Sequence, residues 1–479
     1  MRDGLPVPVQ FKGTMSSNPS LLRQLGLYSA TAIVISNMVG QGIFTTTGFL
    51  AGDLGDPKLV LLIWLTGAVF ALAGAFCYSE LGVNFPASGG EYVYLTRAFG
   101  PTWGFMSGWT SFFAGFSAPI AVSALAFSDY AGYFFPALQQ ENARFHFGSA
   151  AFGLQFGGAQ IAASAMILLF TVLNLFGVRF IARVQNTLTS IKIAVMIGFI
   201  VLGLTIGHGN WAHLSMNATR TATTSLPAQF VISLFWIYVA YSGWNAATYV
   251  AEELRKPERT LPLALTIGTI LVAGLYLLFN VVFLYAVPLQ RMIDPHGHPI
   301  VAVGSLAAQS LFGPAGAALF SGLVALSLMA TVNAMVTIGP RLYYAMAKNG
   351  AFVPAAAKVH PEWRTPVNAI LFQGACAALM TLVNFGNLIL YIGYLLNFFA
   401  VLAVLSLFKF RGRPGWRKLS VVSFAWPLIP LVFVVPGVWM TIYGARLAPL
   451  TSAAAAVTLA SGALFYHWKL RGGAVRAER

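Results

Sequence analysis

Gly40-Gln41-Gly42 and Ser242-Gly243 are the residues of this chain best placed to hold a ligand. Each group interrupts a long apolar run near its middle, with Ser36 and Asn37 just before the first and Asn245 just after the second. Glycine weakens a helix, and polar residues at bilayer depth are costly unless they face a cavity or a partner. Close helix packing also uses small residues, but a second interruption of the same kind is harder to explain that way. An unwound turn presents helix N-terminal N–H groups, which suit a carboxylate. It also presents C-terminal carbonyls, which suit an ammonium group. Two such breaks together match a zwitterion, and an α-amino acid fits. The amides of Gly40, Gln41 and Gly42 would take the carboxylate, and carbonyls near Ile35 and Ser36 and near Val239 and Ala240 the amine.

Few other residues invite chemistry. Lys192, in Ser190-Ile-Lys-Ile-Ala194, lies roughly 13 Å into an apolar run that begins near Arg183, at about 1.5 Å per residue. That is too deep for easy snorkelling, so it is a mechanistic candidate. Asn245 is a second, because a buried amide needs partners that a substrate or gate would supply; Asn333 is a weaker one. Glu80, Glu91, Glu252 and Glu253 are expected to pair with Arg and Lys at the inner surface. Cys77 and Cys376 both fall inside apolar runs, so neither a disulfide framework nor a metal site is expected. His296-Gly297-His298 lacks an evident third ligand and reads as a solvated loop. With no Ser/His/Asp set, carboxylate pair or cofactor motif, an enzyme is not expected.

The elements that must position these residues follow from composition. Of 479 residues 58% are hydrophobic and 9% charged, against about 25% charged in a soluble domain. The bilayer must therefore be the solvent, and helices about twenty residues long can cross its core of about 30 Å. Twelve spans are expected, near 25–52, 59–84, 101–135, 157–177, 184–207, 226–251, 261–287, 314–347, 366–385, 387–409, 420–442 and 448–468. The net charge of +15 is spread between spans, which argues for membrane orientation over nucleic-acid binding. If the N-terminus is inside, the outer segments hold only Lys58, Arg144, Arg220, Arg291 and Arg446. Both termini are thus expected in the cytoplasm. The polar first twenty residues lack a signal-peptide core. The outer loops 136–156 and 288–313 are long enough to carry structure.

The breaks fall in the first and sixth spans, five apart, so the two helices enter from opposite sides, as in an inverted repeat with discontinuous helices. Gly40-Gln41-Gly42-Ile43-Phe44 resembles the Gly-Ser/Thr-Gly-Ile/Val-Phe of the amino acid–polyamine–organocation (APC) superfamily. Ala240-Tyr-Ser-Gly-Trp-Asn245, with Glu252-Glu253, Pro257 and Thr260-Leu-Pro262, resembles the sixth helix of its L-type amino acid transporter branch. Pro86-Ala-Ser-Gly-Gly-Glu-Tyr-Val-Tyr-Leu-Thr-Arg-Ala-Phe-Gly100, Arg341 and Pro361 to Pro366 extend the likeness over most of the chain.

The resemblance implies an all-α, LeuT-type five-plus-five inverted repeat at 25–409, two peripheral helices at 410–468, and cytoplasmic tails at 1–24 and 469–479. It implies alternating access, with the substrate at the unwound segments, no cofactor, and a multi-pass place in the plasma membrane. Lys192 resembles a fifth-helix Lys whose ammonium replaces a sodium ion, which implies sodium-independent transport. With no acidic residue evident near either break, a small or apolar neutral amino acid is the expected substrate. Exchange and proton-coupled symport both remain open, as does a sensor or channel on the same scaffold. Two residues depart from the pattern. Gln41 replaces Ser or Thr, and Val239 stands where a gating aromatic is common, leaving Tyr238, Trp236 or Trp244 as candidate gates. Animal members bind a glycoprotein through a Cys in the loop after the third helix. Loop 136–156 has no Cys, so no disulfide-linked heavy chain is expected.

Overall fold

The computed structural model describes residues 25–470, apart from residues 88, 148–152, 177, 349 and 364. The tail at 1–24 and the tail residues 471–479 lie outside the described residues, as do Ser88 and Arg364 of the family-like motifs.

The chain is a bundle of apolar helices. Helix α1 (Leu27–Met38) and α2 (Gly42–Leu54) are bent by 40° at the first glycine pair. Helix α3 (Pro57–Asn84) starts two residues earlier than its apolar run. Pro57 at the first helical position gives up no bond there, and Asp56 caps it by accepting from the Lys58 N–H at 2.8 Å. The short α4 (Glu91–Phe99) precedes α5 (Pro101–Thr110), which runs through a π-helical turn, Ser111–Ser117, into α6 (Ala118–Ala131). Then come α7 (Gly158–Leu175), α8 (Val178–Thr205) and α9 (Leu226–Tyr241), the last followed by a 3-10 segment, Ala246–Glu253.

The remaining helices are α10 (Pro257–Ala286), α11 (Val303–Lys348), α12 (Val367–Met380), α13 (Phe385–Phe410), the single turn α14 (Ser420–Ser423), α15 (Leu428–Leu447) and α16 (Pro449–Phe465). Among the described residues ten helices are long and apolar enough to cross a membrane, and the bent α1–α2 pair makes an eleventh. Helix α12 is apolar but shorter, at 14 residues. The protein is therefore a multi-pass membrane protein. Helix α3 exposes Leu62, Leu65 and Val69, a stripe at helical spacing that suits lipid.

Prolines moved several boundaries. The eighth span begins near 314, as expected: residues 303–312 are helical too, but Gly313 at φ +74°, ψ −172° interrupts the helix ahead of Pro314 and sets them apart as a separate piece. The seventh begins at Pro257 instead of 261, and α15 at Leu428 after Pro427 instead of 420. Loop 136–156 carries a hairpin of β1 (Phe145–Phe147) and β2 (Leu154–Phe156), antiparallel with Phe145 opposite Phe156. In the other long loop, Asp294 accepts from the N–H groups of His296 (2.8 Å) and His298 (2.7 Å), and these bonds hold its exposed carboxyl below the usual range.

Four donors converge on Glu80. Arg411 binds it bidentately at 2.6 Å on both oxygens, and Trp416 Nε1 (2.8 Å) and the Leu419 N–H (3.0 Å) add to these. This buried pair clamps α3 to the end of α13, as expected of Glu80. Removing one member of a buried pair strands the other charge, at a cost of about 3–5 kcal/mol. Arg411→Ala should therefore lower the melting temperature of the purified protein in detergent, read by fluorescence-detected gel filtration after heating. An unchanged melting temperature would rule the clamp out as a source of stability.

Candidate functional site

The two glycine breaks lie against one another. A Cβ on Gly42 would stand 2.4 Å from Ala240 Cα, and one on Gly243, where φ is +97°, would stand 2.7 Å from the Asn37 carbonyl oxygen. Neither position has room for a side chain. Helix α1 ends at Val39 (φ −74°, ψ 89°), whose N–H donates to Ile35 O at 3.0 Å. Gln41 caps α2, and the first amides of a helix have no acceptor within it. Helix α9 ends at Tyr241. There Ser242 donates to Val239 O through both its N–H (3.1 Å) and its Oγ (2.7 Å).

Side chains from other helices satisfy what the breaks leave open. The Tyr276 hydroxyl of α10 lies 2.6 Å from Met38 O and 3.2 Å from Ala240 O, so it can donate to a carbonyl of either break. The Gly40 N–H donates to its oxygen. Lys192 Nζ, buried on α8, donates to Val39 O at 2.7 Å and to Thr331 Oγ1 of α11 at 2.9 Å. One ammonium thus joins the first break, α8 and α11. The Gln41 side chain is buried too, and its Oε1 accepts from Ser123 Oγ of α6 at 3.0 Å. Thr47 of α2 donates to Asn280 Oδ1 at 2.5 Å, one turn beyond Tyr276.

The residues singled out from sequence are only partly brought together. Gly40, Gln41, Gly42, Ala240, Gly243 and Lys192 share one locus with the carbonyl of Val39. The carbonyls of Ile35 and Val239 are bonded within their own helix ends, and Ser36 Oγ lies 3.5 Å from Thr189 Oγ1 on α8. The Val239 side chain packs toward α13, where a Cβ on Gly393 would be 3.3 Å away. Asn333 accepts from Asn174 of α7 at 3.1 Å.

Asn245 points out of the break and donates to Glu91 Oε1 at 2.9 Å. Glu91 does not form the surface ion pair expected of it. It accepts from Tyr78 (2.9 Å), Asn245 and Tyr249 (2.7 Å), and among the described residues it makes no salt bridge. Burial raises its carboxyl above the usual range, opposed by those three bonds.

Tyr238 and Trp244 line an apolar cavity of about 100 Å³ with Phe70, Ile237, Tyr241 and Met440. They look toward α3 and α15, and the walls of the cavity are mainly apolar. Trp236 instead stacks on Phe49 of α2 at 4.4 Å, with Phe385 6.0 Å from Phe49, and its Nε1 donates to Asp53 at 3.1 Å. Sequence reading missed Tyr276, Asn280, Thr331 and Ser123. Tyr276 and Asn280, four residues apart in an apolar run, were the available signal.

Apolar spans meeting at two interrupted helices, with amides, carbonyls and an ammonium gathered between them, define a membrane transporter rather than an enzyme. The chain belongs to the amino acid permease family, whose sequence profile matches residues 25–462, and so to the APC superfamily. It is 28% identical over 418 residues to the serine/threonine exchanger SteT of Bacillus subtilis, covering 86% of this chain and 89% of that protein. It is 29% identical over 430 residues to the large neutral amino acids transporter small subunit 2 of Homo sapiens, covering 88% and 76%. It is 28% identical over 461 residues to the b(0,+)-type amino acid transporter 1 of Mus musculus, covering 93% and 88%.

Losing a hydrogen bond to a charged group costs about 1.5–3 kcal/mol, and each 1.4 kcal/mol or so is about tenfold in rate. Lys192→Ala should therefore cut the initial rate of amino acid uptake by at least about tenfold, and Tyr276→Phe by roughly three- to tenfold. Both hold carbonyls of one break, so the double variant should lose less than the product of the two losses. Uptake of labelled amino acid at matched expression measures this, and near-normal uptake by Lys192→Ala would remove the residue from the mechanism.

Proposed function

We propose that the chain is a sodium-independent secondary transporter of neutral L-amino acids, working by alternating access and exchanging one amino acid for another. The observation that carries the reading is the Lys192 ammonium on the Val39 carbonyl, inside the first break and beside the second. A fixed cation there supplies the charge that a bound sodium ion would otherwise bring. The amides opening α2 and the carbonyls of Met38 and Ala240 offer opposite polarity to the two ends of a zwitterion.

The reading extends to the architecture. Counting α12 as a short span gives twelve, arranged as a LeuT-type five-plus-five inverted repeat over 25–409 with the first and sixth helices broken. The last two spans, 410–468, are peripheral. Lys and Arg placement supports cytoplasmic termini, in the plasma membrane or the inner membrane of a Gram-negative cell. Cys77 and Cys376 lie within α3 and α12, which supports operation without a disulfide-linked heavy chain. The site residues are the amides of Gln41 and Gly42 with the backbone of Ser36, Ala240, Ser242 and Gly243. The Gly40 amide is engaged by Tyr276, and the Ile35 and Val239 carbonyls by their own helix ends. Closure on the outer side falls to Trp236 stacked on Phe49, in place of Tyr238 or Trp244. Exchangers and neutral amino acid transporters among the relatives support the same activity.

The test is labelled L-serine and L-leucine uptake into proteoliposomes, with and without unlabelled amino acid inside, in sodium or choline medium. Exchange requires the internal pool and ignores the swap of cations. Uptake into empty vesicles under an acid-outside gradient would make the protein a proton symporter. Binding without flux would make it a sensor, and flux that never saturates a channel.

Specificity has its own test. Gln41 spans from the break to Ser123 and fills space beside the site. Gln41→Ser should improve competition by larger apolar amino acids relative to serine, by roughly three- to tenfold in a competition panel, since one or two methylene groups are worth about 1–3 kcal/mol. An unchanged ranking would place Gln41 outside the substrate's reach.

A further inference from the structure

Tyr78 of α3, Glu91 of α4, Asn245 of the second break and Tyr249 of the 3-10 segment meet on one carboxylate. Glu91 is 8% exposed, and Gly90 before it, at φ +52°, presses so close that a Cβ there would stand 2.9 Å from Thr248 Oγ1. Helix α4 thus lies directly on the segment leading from the break to α10. That segment is also clipped to the start of α1, because the Leu25 N–H donates to Glu253 O at 3.0 Å and the Arg255 N–H to Leu25 O at 2.8 Å.

The chemistry of the cluster is unusual. All three partners of Glu91 donate to it, and none is a cation. The other titratable groups facing it are the phenols of Tyr94 on its own helix and Tyr238 on α9. A buried carboxylate held by neutral donors alone is expensive. Taking up a proton relieves that cost without undoing the cluster, since the protonated oxygen can donate to Tyr249 in a reversed bond.

We propose that Glu91 is the positioning residue that locks the inner half of the second break, binding a proton as the lock closes and releasing it as the lock opens. The inference rests on the alternating-access reading above. Opening the inner side separates α4 from the 3-10 segment and returns Glu91 to water, where its carboxyl ionises in the ordinary range. In the closed form burial raises that range. A group with a raised value in one state stabilises that state at low pH, and the stabilisation is lost as pH rises through the raised value. Each unit of the rise corresponds to about a tenfold change in the closed-to-open ratio. Acid on the cytoplasmic side therefore holds the inner side shut.

The test uses inside-out vesicles, whose bath sets the pH at the cytoplasmic face. Exchange-driven uptake of labelled L-serine and L-leucine is measured as the bath is stepped from acid to alkaline. Wild-type uptake should rise with pH along a single titration, and Glu91→Gln should flatten the profile. Tyr249→Phe removes one donor to the anion and keeps the charge, so its midpoint should move to higher pH. A purely structural role would lower the whole curve and leave its midpoint in place. Gel filtration of each variant guards against misfolding, and Tyr249→Phe decides the matter if Glu91→Gln does not fold. A wild-type profile in Glu91→Gln, or an unmoved midpoint in Tyr249→Phe, overturns the lock alone. Absence of uptake by the wild type at every pH overturns the transport reading, and the lock with it.

Discussion

A helix that stops inside a membrane strands backbone N–H and C=O groups where no water can reach them, and each must find a partner inside the protein. The rest of the fold can be understood as the answer to that demand. Val39 O is met by Lys192, Met38 O or Ala240 O by Tyr276, and Val239 O by Ser242. These partners come from α8 and α10 as well as from the break itself, so those helices must pass within hydrogen-bond reach. Their packing on α11 and α1 respectively follows. What remains open, the first amides of α2 and the spare lone pairs of the carbonyls, is what a zwitterion can use.

The same demand divides the molecule into two halves, one on each side of the breaks. On one side of the breaks, α2 and α9 are joined by the Phe49–Trp236 stack and by Asp53, which accepts from Ser233 at 2.7 Å and from Trp236. On the other, α4 and the 3-10 segment are joined through Glu91. Each half-helix therefore has its own attachment, and Tyr276 of α10 reaches carbonyls of both breaks. A transporter needs such a division, because one side must loosen while the other holds.

The breaks, the depth of Lys192 and the helical class could be read from the chain because they are local signals: glycine and charge inside apolar runs. The direction of side chains beyond a break could not. Gly243 at φ +97° resets the helical phase, so Trp244 and Asn245 point where no periodicity projected from α9 would send them. Asn245 reaches Glu91 across 154 positions of sequence, and a carboxylate in a loop-like Gly-Gly-Glu context gives no hint of burial. A tyrosine in an apolar run reads as ordinary packing, and only the position of both breaks shows what the Tyr276 hydroxyl reaches. Helices α3 and α10 start at Pro57 and Pro257, a few residues before the expected spans, because proline is compatible with the first turn of a helix.

The reciprocal seating of Gly42 on Ala240 and of Gly243 on Asn37 also bears on how such a protein can diversify. Neither glycine can be exchanged for any other residue without prising the two half-helices apart, so these positions are closed to variation. The neighbours carry side chains that lead away from the contact: Gln41 toward α6, Val239 toward α13. Lineages descended from one such framework could therefore retune what they carry at those neighbouring positions while the backbone cradle stays frozen. On this view the head group of the cargo is inherited and its side chain is negotiable.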